Sequence, residues 1–272
     1  MSHVRFRSNF LADYVAHAPL ALAFERTLEC RILAEQTFDR PILDLGCGDG
    51  LFARILFAET IDTGIDPNEQ EIRRADKTGI YRELIQCSGS DIPKPDGAYK
   101  TVFSNSVLEH IPDLPPVLAE IHRILAPGGS FYFTVPADSF EIWSAVNQLL
   151  LCLGLSKKSR NFRKFFNRFW KHYHAYPEAE WKALAQQVNF EVTDSFLYDA
   201  PRVALGNDIL APFAFPSMVL NKLAGRWVLS RQLRRIVLSP LYPLFNLWLN
   251  PVQHPEGCLV FVKAMKSPSS AI

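Results

Sequence analysis

The amino-acid sequence predicts an α/β fold in which a parallel sheet is covered by helices on both faces. Between residues 41 and 136, short apolar strands alternate with helical segments and short connections. The turn Gly46-Cys-Gly-Asp-Gly50 joins the first strand directly to a helix. Such alternation needs crossover connections, which place neighbouring strands parallel and helices over both faces. The 272 residues are enough for one large core.

The elements follow from local patterns. A helical region over 8–36, interrupted near Pro19, precedes the sheet. Strands are predicted over 41–45, 61–65, 84–87, 101–104, 131–135, 190–198 and 258–263. Helices are predicted after residue 50, over 68–78, from Leu114 and over 177–188. Pro127-Gly128-Gly129 is expected to stop the helix that begins at Leu114.

The near-neutral charge of 29 Lys and Arg against 28 Asp and Glu conceals an asymmetry. The stretches 142–177 and 200–255 contain thirteen of the basic residues and a single acid, Asp208. The net charge of the whole chain, taken alone, would argue against a nucleic-acid or membrane-surface protein. The mapped charges instead predict an acidic body that carries two basic insertions.

The cysteines and the apolar segments of the chain indicate its cellular location. The five cysteines are widely spaced and form no C-x-x-C, which argues against a zinc site or disulfide framework and favours a reducing compartment. The opening residues MSHVRFRSNF lack the apolar segment of a secretory signal. The charge-free stretch 236–255 holds four prolines, so a continuous spanning helix is not expected there. We predict a cytoplasmic protein and leave contact with a membrane surface open.

The glycine turn and Asp66 point to a ligand. Closely spaced glycines let a backbone approach a bound group, although such a turn can also serve folding alone. The spacing Gly46-x-Gly48-x-Gly50 differs from the G-x-G-x-x-G of dinucleotide-binding folds. Asp66 ends the next strand, where a carboxylate can bind ribose hydroxyls or cap the following helix. Together the two signals favour an adenosine-containing ligand.

Residues 41–136 resemble the class I S-adenosylmethionine-dependent methyltransferases of the methyltransferase type 11 family. The resemblance is carried by Ile42–Gly50, Gly64–Pro67, Asn105–Ile111 and Leu118–Gly129, in the family's order and spacing. It implies a Rossmann-like seven-stranded sheet of order 3-2-1-4-5-7-6 flanked by helices, here with two helical insertions. It also implies S-adenosylmethionine as cofactor, lying over the carboxyl ends of the strands.

The resemblance assigns roles to individual residues. The methionine portion of the cofactor is assigned to Asp44, Gly46, Cys47 and Gly48, the ribose to Asp66, and the region near the sulfonium to Asn105. The family's Asp-Ala pair that contacts adenine is replaced by Ser88-Gly89, so adenine contact is assigned to these residues, to Asp91 or to the main chain. Tyr99-Lys100 replaces a Phe-Asp pair, which leaves a fold without activity as an alternative.

We predict a single methyltransferase domain over residues 1–272. Its parts are an N-terminal helical cap (1–40), a cofactor-binding core (41–136), a basic and aromatic first insertion (137–177), a helix and sixth strand (178–198), a basic and apolar second insertion (199–256) and the last strand (257–264).

Methyl transfer requires alignment of the acceptor and, for a hydroxyl acceptor, removal of a proton. His110 is the candidate general base, and the alternative is that Glu109-His110 only organises the start of a helix. Similar ubiquinone-pathway O-methyltransferases carry a metal-binding Glu where this chain has Ser106, so no metal site is predicted. His172 and His174 are interpreted as surface or packing residues, with an acceptor-site role as the alternative.

The sequence of the first insertion predicts a helix with one aromatic face. It is formed by Phe162, Phe165, Phe166, Phe169, Trp170 and Tyr173, with basic residues beside it. Such a face can enter a membrane interface, cover an apolar acceptor pocket or simply pack on the sheet as a lid. The second insertion is again basic and apolar, and two such insertions favour an anionic or amphiphilic substrate, or a bilayer that holds it.

The sequence therefore predicts methyl transfer to a small-molecule or lipid-linked acceptor, with oxygen as the first expectation for the acceptor atom and carbon or nitrogen open. RNA methylation is a less favoured alternative, because the aromatic residues share a helix face instead of a strand or loop surface. A non-catalytic binding protein that retains the fold is the other alternative.

Overall fold

The computed structural model describes residues 3–268, apart from the side chain of Ala224. Its seven strands form one sheet in the order β3-β2-β1-β4-β5-β7-β6, which confirms the predicted order. The strands are β1 Ile42–Leu45, β2 Ile61–Asp66, β3 Tyr81–Gln86, β4 Tyr99–Asn105, β5 Leu125–Pro136, β6 Phe190–Tyr198 and β7 Leu259–Lys266.

Twelve α-helices flank the sheet or form the insertions in the part of the chain just given. They are α1 Phe10–His17, α2 Leu20–Ala34, α3 Leu51–Leu56, α4 Glu69–Asp76, α5 Leu114–Ile124, α6 Ala145–Cys152, α7 Ser156–Trp170, α8 Glu178–Gln187, α9 Pro201–Leu210, α10 Phe215–Ala224, α11 Arg231–Leu238 and α12 Tyr242–Trp248. The break expected near Pro19 lies between α1 and α2.

The direction of β7 differs from the all-parallel sheet that strand–helix alternation alone predicts. β1 to β5 are parallel, whereas β7 pairs antiparallel with both β5 and β6. Tyr198 at the end of β6 is paired with Leu259 at the start of β7. The second insertion therefore leaves and rejoins the sheet at one edge, where the parallel strands have their carboxyl ends.

The core has two apolar layers, one on each face of the sheet. Successive residues of a strand point to opposite faces, and β5 supplies both layers. Its Tyr132 packs with Phe24 of α2 on one face, in the layer that also contains α1 and α3. Its Phe131 packs with Ile121 of α5 and Trp181 of α8 on the other. Burial on both faces explains the nearly continuous apolar sequence of the central strands.

β5 begins earlier than predicted. α5 ends at Ile124, and the next residue, Leu125, already pairs with Tyr99 of β4. The register of this pairing shifts between Tyr99 and Thr101, so Pro127-Gly128-Gly129 forms an irregularity inside the strand. Gly128 has φ +75°, a conformation that glycine adopts without strain.

The aromatic helix face predicted for the first insertion is present in α7, where the neighbouring rings of Phe162, Phe165, Phe166, Phe169 and Trp170 have centroids 5.2 to 6.3 Å apart, but it does not extend to Tyr173. α7 ends at Trp170, because Lys171 is left-handed at φ +55°, and Tyr173 therefore lies outside the helix. Phe162 and Phe166 are half-buried, whereas Phe165 and Phe169 are exposed. α7 packs on α6 and not on the sheet, whose faces are already covered by the flanking helices.

The second insertion is anchored on α2. Phe24 of α2 makes edge contacts with Phe245 and Trp248, with ring centroids 5.0 and 5.2 Å apart.

One helical segment of the second insertion, Pro201–Leu223, is long and apolar enough to cross a membrane. Length and composition alone are weak evidence for a spanning helix.

Candidate active site

The glycine turn after β1 has the conformation that only glycine adopts easily. Gly46 and Gly48 have φ of +79° and +52°. A Cβ on Gly46 would lie 2.5 Å from the side chain of Val107, so no larger residue fits. A Cβ on Gly48 would meet no atom of the described residues within 4 Å. The turn is therefore closely packed on one side and open on the side where a ligand can approach.

Asp66 ties this turn to the end of β2. Its Oδ2 accepts a hydrogen bond from the backbone N–H of Gly48 at 3.1 Å, and its Oδ1 accepts one from Asn68 at 2.8 Å. The side chain that caps α4 is Asn68, which accepts from the N–H of Gln70. Capping therefore does not account for Asp66, whose remaining lone pairs can accept ribose hydroxyls.

Asp44 lies buried at the middle of the same edge. The hydroxyl of Tyr81 donates to its Oδ2 at 2.6 Å. Burial, opposed by the hydrogen bond from Tyr81 and assisted by nearby Asp66, raises the pKa of Asp44 to about 7. Burial likewise raises the pKa of the Cys47 thiol. The sequence analysis did not identify Tyr81. The available signal was Gly64 within β2, because a Cβ there would lie 2.8 Å from the Tyr81 ring.

Ser88, Gly89 and Asp91 lie in the loop after β3. The hydroxyls of Ser88 and Ser90 are 2.8 Å apart, and Asp91 is exposed. A Cβ on Gly89 would lie 3.3 Å from Val117, so this part of the loop passes close over α5. The three residues are at the carboxyl edge beside β2, and their contact with adenine stays a prediction.

Asn105 ends β4 within a buried polar network. Its Nδ2 donates to Oε2 of Glu29 at 2.8 Å, and its Oδ1 accepts from the Thr134 hydroxyl at 2.9 Å. Glu29 also accepts from the Ser106 hydroxyl at 2.9 Å, and Ser106 has φ +51°. Arg26 donates to Ser106 at 2.6 Å and forms an ion pair with Glu29 at 2.6 Å.

Sequence reasoning missed Arg26 and Glu29. Both lie on α2, whose charged residues Glu25, Arg26 and Glu29 interrupt an otherwise largely apolar helix. That interruption was the available signal. The network fixes the side chains next to the position assigned to the sulfonium.

A cavity of about 340 Å³ opens beside this network. We call it the aromatic cavity. It is bounded by α2, by the segment after β4 and by both insertions. Its aromatic lining consists of Phe140, Trp143, Phe166, Trp170 and Trp227. The aromatic residues of the insertions thus form the walls of a pocket at the carboxyl edge.

Carboxyl groups line the same cavity. They belong to Glu25, Glu109, Asp199 and Asp208, and the guanidinium of Arg26 lines the cavity as well. Burial raises the pKa of Glu25 to about 7 and that of Glu109 to about 8. Asp199 is 1% exposed, burial raises its pKa strongly, and neither of its carboxyl oxygens has a hydrogen-bond partner within residues 3–268. The lining of the cavity therefore combines aromatic side chains with several carboxyl groups.

Glu109, His110 and His172 form a cluster at the cavity wall. Their ligand atoms all lie within 4.8 Å of one another, and the two imidazole centroids are 5.2 Å apart. Nδ1 of His110 faces the carbonyl oxygen of Lys171 at 3.2 Å, so that nitrogen carries the proton and Nε2 is the basic atom. Burial lowers the pKa of His110 and lowers that of His172 to about 4. Both imidazoles are accordingly neutral near pH 7.

The two histidines of the first insertion have different roles. His172 lines the cavity, as the acceptor-site alternative requires. His174 instead contacts the Tyr176 hydroxyl at 2.7 Å and the carbonyl oxygen of Ile111 at 2.9 Å, so it is a packing residue. The cluster of Glu109, His110 and His172 has three atoms able to hold a divalent ion. The absence of a metal site stays a prediction.

The residues at the carboxyl edge fit S-adenosylmethionine. The open side of Gly48 admits the backbone-like methionine portion, and Asp66 retains acceptor capacity for a ribose. Asp44, Asp66 and Asn105 end or lie in neighbouring parallel strands, so their side chains meet at one edge. The structure therefore places the assigned residues at one edge, including the exposed Asp91 in the loop after β3.

Known proteins share the sequence pattern over part of this chain. A family model described as methyltransferase domain matches residues 6–195. The sterol 24-C-methyltransferase of Gibberella zeae is 36% identical over 132 residues, which are 38% of this chain and 34% of that protein. The ubiquinone biosynthesis O-methyltransferase of Vibrio atlanticus is 30% identical over 113 residues, which are 39% and 48% of the two chains. The match spans a third to a half of these relatives.

A solved structure supports the fold. The S-adenosylmethionine-dependent methyltransferase from Thermotoga maritima superposes with a TM-score of 0.57 at 16% identity, over 91% of this chain and 92% of that chain. Since the family model covers more than half of the residues and the strand order agrees, the chain belongs to the class I S-adenosylmethionine-dependent methyltransferases.

Proposed function

We propose that the protein transfers a methyl group from S-adenosylmethionine to a small-molecule or lipid-like acceptor held in the aromatic cavity. One observation carries the proposal: Ser106, which follows Asn105 directly, and Glu109, four positions after Asn105, line that cavity. An acceptor in the cavity is therefore next to the position assigned to the reactive end of the cofactor. The apolar walls agree with the sterol and ubiquinone-pathway names of two relatives.

The bound cofactor supplies an activated methyl group on a sulfonium leaving group. The chain must hold the acceptor in line and accept its proton. For a hydroxyl acceptor, the oxygen would exchange its proton for the methyl group of the bound cofactor, and Nε2 of His110 or His172 would accept that proton. Because both imidazoles are neutral near pH 7, we propose oxygen as the acceptor atom.

Binding of the cofactor is the first test. Calorimetric titration with S-adenosylhomocysteine should show one site in the wild-type chain. Asp66→Ala should weaken it about tenfold or more, because a charge-assisted ribose contact is removed. Asp76→Ala, at the exposed end of α4, is the matched control and should bind normally. A wild-type chain that binds neither form of the cofactor would favour the non-catalytic alternative.

A screen with methyl-labelled cofactor identifies the acceptor. Fractionated hydrophobic and polar extracts are incubated with the protein, and the label is followed into products. We expect label in an apolar or amphiphilic product that is stable to the conditions that cleave methylated nucleic acid. Label that appears only in RNA would favour the RNA methyltransferase alternative.

We propose, in addition, that the insertions bring the protein to an anionic membrane surface. Every large hydrophobic side chain that is exposed in the described part of the chain lies in one of the two insertions. Examples are Phe169 at 61%, Leu223 at 81% and Leu229 at 75% exposure. Within the insertions, residues 142–177 and 200–255 carry thirteen Lys and Arg residues and one acid. Apolar side chains beside uncompensated positive charge suit a bilayer with anionic headgroups.

Liposome flotation tests the membrane proposal. The protein should bind vesicles with anionic lipid at low salt and less at high salt, because the charge contribution is screened. Reversing Arg160, Lys164 and Arg168 to Glu removes exposed charges of α7 and should reduce binding strongly. Reversal of Arg5, Arg73 and Arg82 on the body is the control. Absence of binding at low salt would contradict the proposal, and the cytoplasmic location stays a prediction.

A further inference from the structure

A second cavity, of about 440 Å³, lies between the body and the second insertion. We call it the basic cavity. It is bounded by the ends of α1 and α4, by α3 and by the segment 225–231. None of the residues assigned to the cofactor lines it. It is therefore a separate feature of the molecule, although Trp227 lines both this cavity and the aromatic cavity.

The lining of the basic cavity is strongly cationic. Its charged side chains are Arg54, Arg74, Lys77, Arg226 and Arg231, against the single acid Asp49. Asp49 is already engaged, since its Oδ1 accepts from the N–H of Leu51 at 3.0 Å and its Oδ2 lies 3.4 Å from the indole nitrogen of Trp227. Three parts of the chain, α3, the end of α4 and the segment 225–231, thus supply cations to the lining of one cavity.

These cations lack the partners that other arginines of the body have. Arg73, Arg82 and Arg123 each form an ion pair with a nearby carboxylate, at 2.6, 3.1 and 2.7 Å. In the basic cavity only Arg74 is paired, with Glu71 at 2.8 Å. Across residues 3–268, Arg54, Lys77, Arg226 and Arg231 have no carboxylate within 4 Å. Converging charges of one sign repel each other unless an anion lies between them.

His17 lines the basic cavity together with Arg54 and Arg231. Arg54 belongs to α3 in the body and Arg231 begins α11 in the second insertion, so both sides of the cavity supply cations. Burial lowers the pKa of His17, and the guanidiniums of Arg231 and Arg54 lower it further.

We propose that the basic cavity binds a phosphate-type dianion, such as a phosphomonoester or inorganic phosphate. Guanidinium groups match phosphate oxygens in bidentate geometry, and the Lys77 ammonium adds a point charge. The ligand would neutralise the unpaired cations and join the second insertion to the body. The inference goes beyond methyl transfer, because it requires neither a cofactor nor an acceptor.

Calorimetric titration of the full chain with inorganic phosphate tests the proposal. It is done at about pH 7.5, where the dianion dominates, and at ionic strength held constant with chloride. We expect saturable binding in the wild type. The double variant Lys77→Gln/Arg231→Gln should bind about tenfold or more weakly, since each lost cation removes a charge-assisted bond. Arg73→Gln/Arg235→Gln is the matched control, because it removes two charges from the same two helical segments outside the cavity, and it should remain within about twofold of the wild type.

Three results would overturn the proposal. The first is no heat or stabilisation beyond that given by chloride in the wild type. The second is an equal loss in the control variant, which would indicate attraction to net charge alone. The third is loss of phosphate binding when S-adenosylhomocysteine saturates the protein, which would make the cavity part of the cofactor site.

The source of the phosphate group is resolved with vesicles. Phosphatidylcholine vesicles containing phosphatidic acid present a phosphomonoester, whereas vesicles of equal surface charge containing phosphatidylglycerol do not. A preference for phosphatidic acid that the Lys77→Gln/Arg231→Gln variant loses assigns the site to a lipid headgroup. Equal binding to both vesicles, together with saturable binding of free phosphate, assigns it to a soluble phosphate compound. Failure of cofactor binding or of methyl transfer leaves the phosphate titration unaffected, so the two proposals fail separately.

Discussion

The cofactor edge and the aromatic cavity are built in different ways. At the cofactor edge, the glycine turn is fixed by positive φ angles and by a carboxylate that accepts main-chain N–H groups. The aromatic cavity is formed by side chains from α2 and two insertions, among them Asp199, which has no hydrogen-bond partner in the described chain. The cofactor edge thus depends on backbone geometry within one local unit, whereas the aromatic cavity depends on side chains that converge from segments distant in sequence.

The largest expected effect lies at the boundary of the two regions. His110→Ala should lower kcat on an accepted hydroxyl substrate by about 10²-fold to 10⁴-fold, because a general base contributes that much. Cofactor affinity should change little, since His110 lies on the cavity side of Asn105. Labelled methyl transfer and calorimetry measure the two quantities.

A merely structural role for His110 would give a different result. In that case His110→Gln would restore kcat, because glutamine can also hydrogen-bond the Lys171 carbonyl but cannot accept a proton. Restored kcat would show that His110 has a structural role. The division between the cofactor edge and the aromatic cavity would then not hold at this residue. His174→Ala, at a packing residue of the same segment, serves as the control for loss of an imidazole.

The next effect concerns the backbone of the cofactor edge. Gly46→Ala should reduce the free energy of unfolding by about 3 kcal/mol, from the left-handed φ and the overlap with Val107. Gly48→Ala has a similar φ but open space, so it should cost about 1 kcal/mol. Urea denaturation measures both. If Val107→Ala does not relieve the cost of Gly46→Ala, packing at this turn is not the cause.

A pH-dependent effect is expected from the cavity carboxyls. Burial raises the pKa of Glu109 to about 8, so ionisation destabilises the folded state progressively as the pH rises from about 4.5 to about 8. Glu109→Gln removes this ionisation and should gain about 2 kcal/mol relative to the wild type at the upper end of that window. Denaturation at several pH values measures the difference.

The reference for that experiment is Glu180→Gln, which replaces an exposed carboxylate on α8. A Glu109→Gln variant whose stability relative to the wild type is the same at pH 5 and pH 9 would contradict the prediction. It would show that the cavity carboxyl is ionised without penalty, as it is when a cation or water lies against it.

The smallest effect is expected on the outer surface of the first insertion. Phe165→Ser/Phe169→Ser removes two exposed rings and should change the free energy of unfolding by only about 0.5 kcal/mol. Binding to anionic vesicles should fall about fivefold, since apolar area no longer enters the bilayer. Phe162→Ser/Phe166→Ser, on the half-buried side, should instead lower stability more than vesicle binding. The reverse pattern would assign the exposed rings to a different role.

The sequence sufficed to place the residues of the cofactor edge side by side, because they are close together in local motifs, and their contacts with the cofactor stay predictions. Gly46, Gly48 and Asp66 fall within one strand–helix–strand unit, and the strand order followed from the family resemblance. The aromatic cavity could not be predicted in the same way. Arg26 contacts Ser106 eighty positions away, and Tyr198 contacts Glu29 across 169 positions. Such contacts depend on how α2 packs across the ends of β4 and β6, which no local pattern describes.

The prediction for α7 was incomplete for a related reason. Helical spacing predicts which side chains share a face, but it does not say how much of that face a partner covers. α7 packs on α6, and Phe162 and Phe166 are half-buried. Lys171 ends the helix through its φ of +55°, which the sequence pattern did not indicate. Phe165, Phe169 and Tyr173 are left exposed.

The antiparallel β7 makes the second insertion a greatly lengthened hairpin loop. Because Tyr198 and Leu259 are paired, the chain departs from and returns to neighbouring points of an intact sheet. Segments grafted at such a site can be exchanged or shortened without altering strand register, since both attachment points are fixed by the ladder. Diversification of acceptor range could then proceed by exchange of this loop, while the catalytic scaffold beneath it is inherited unchanged.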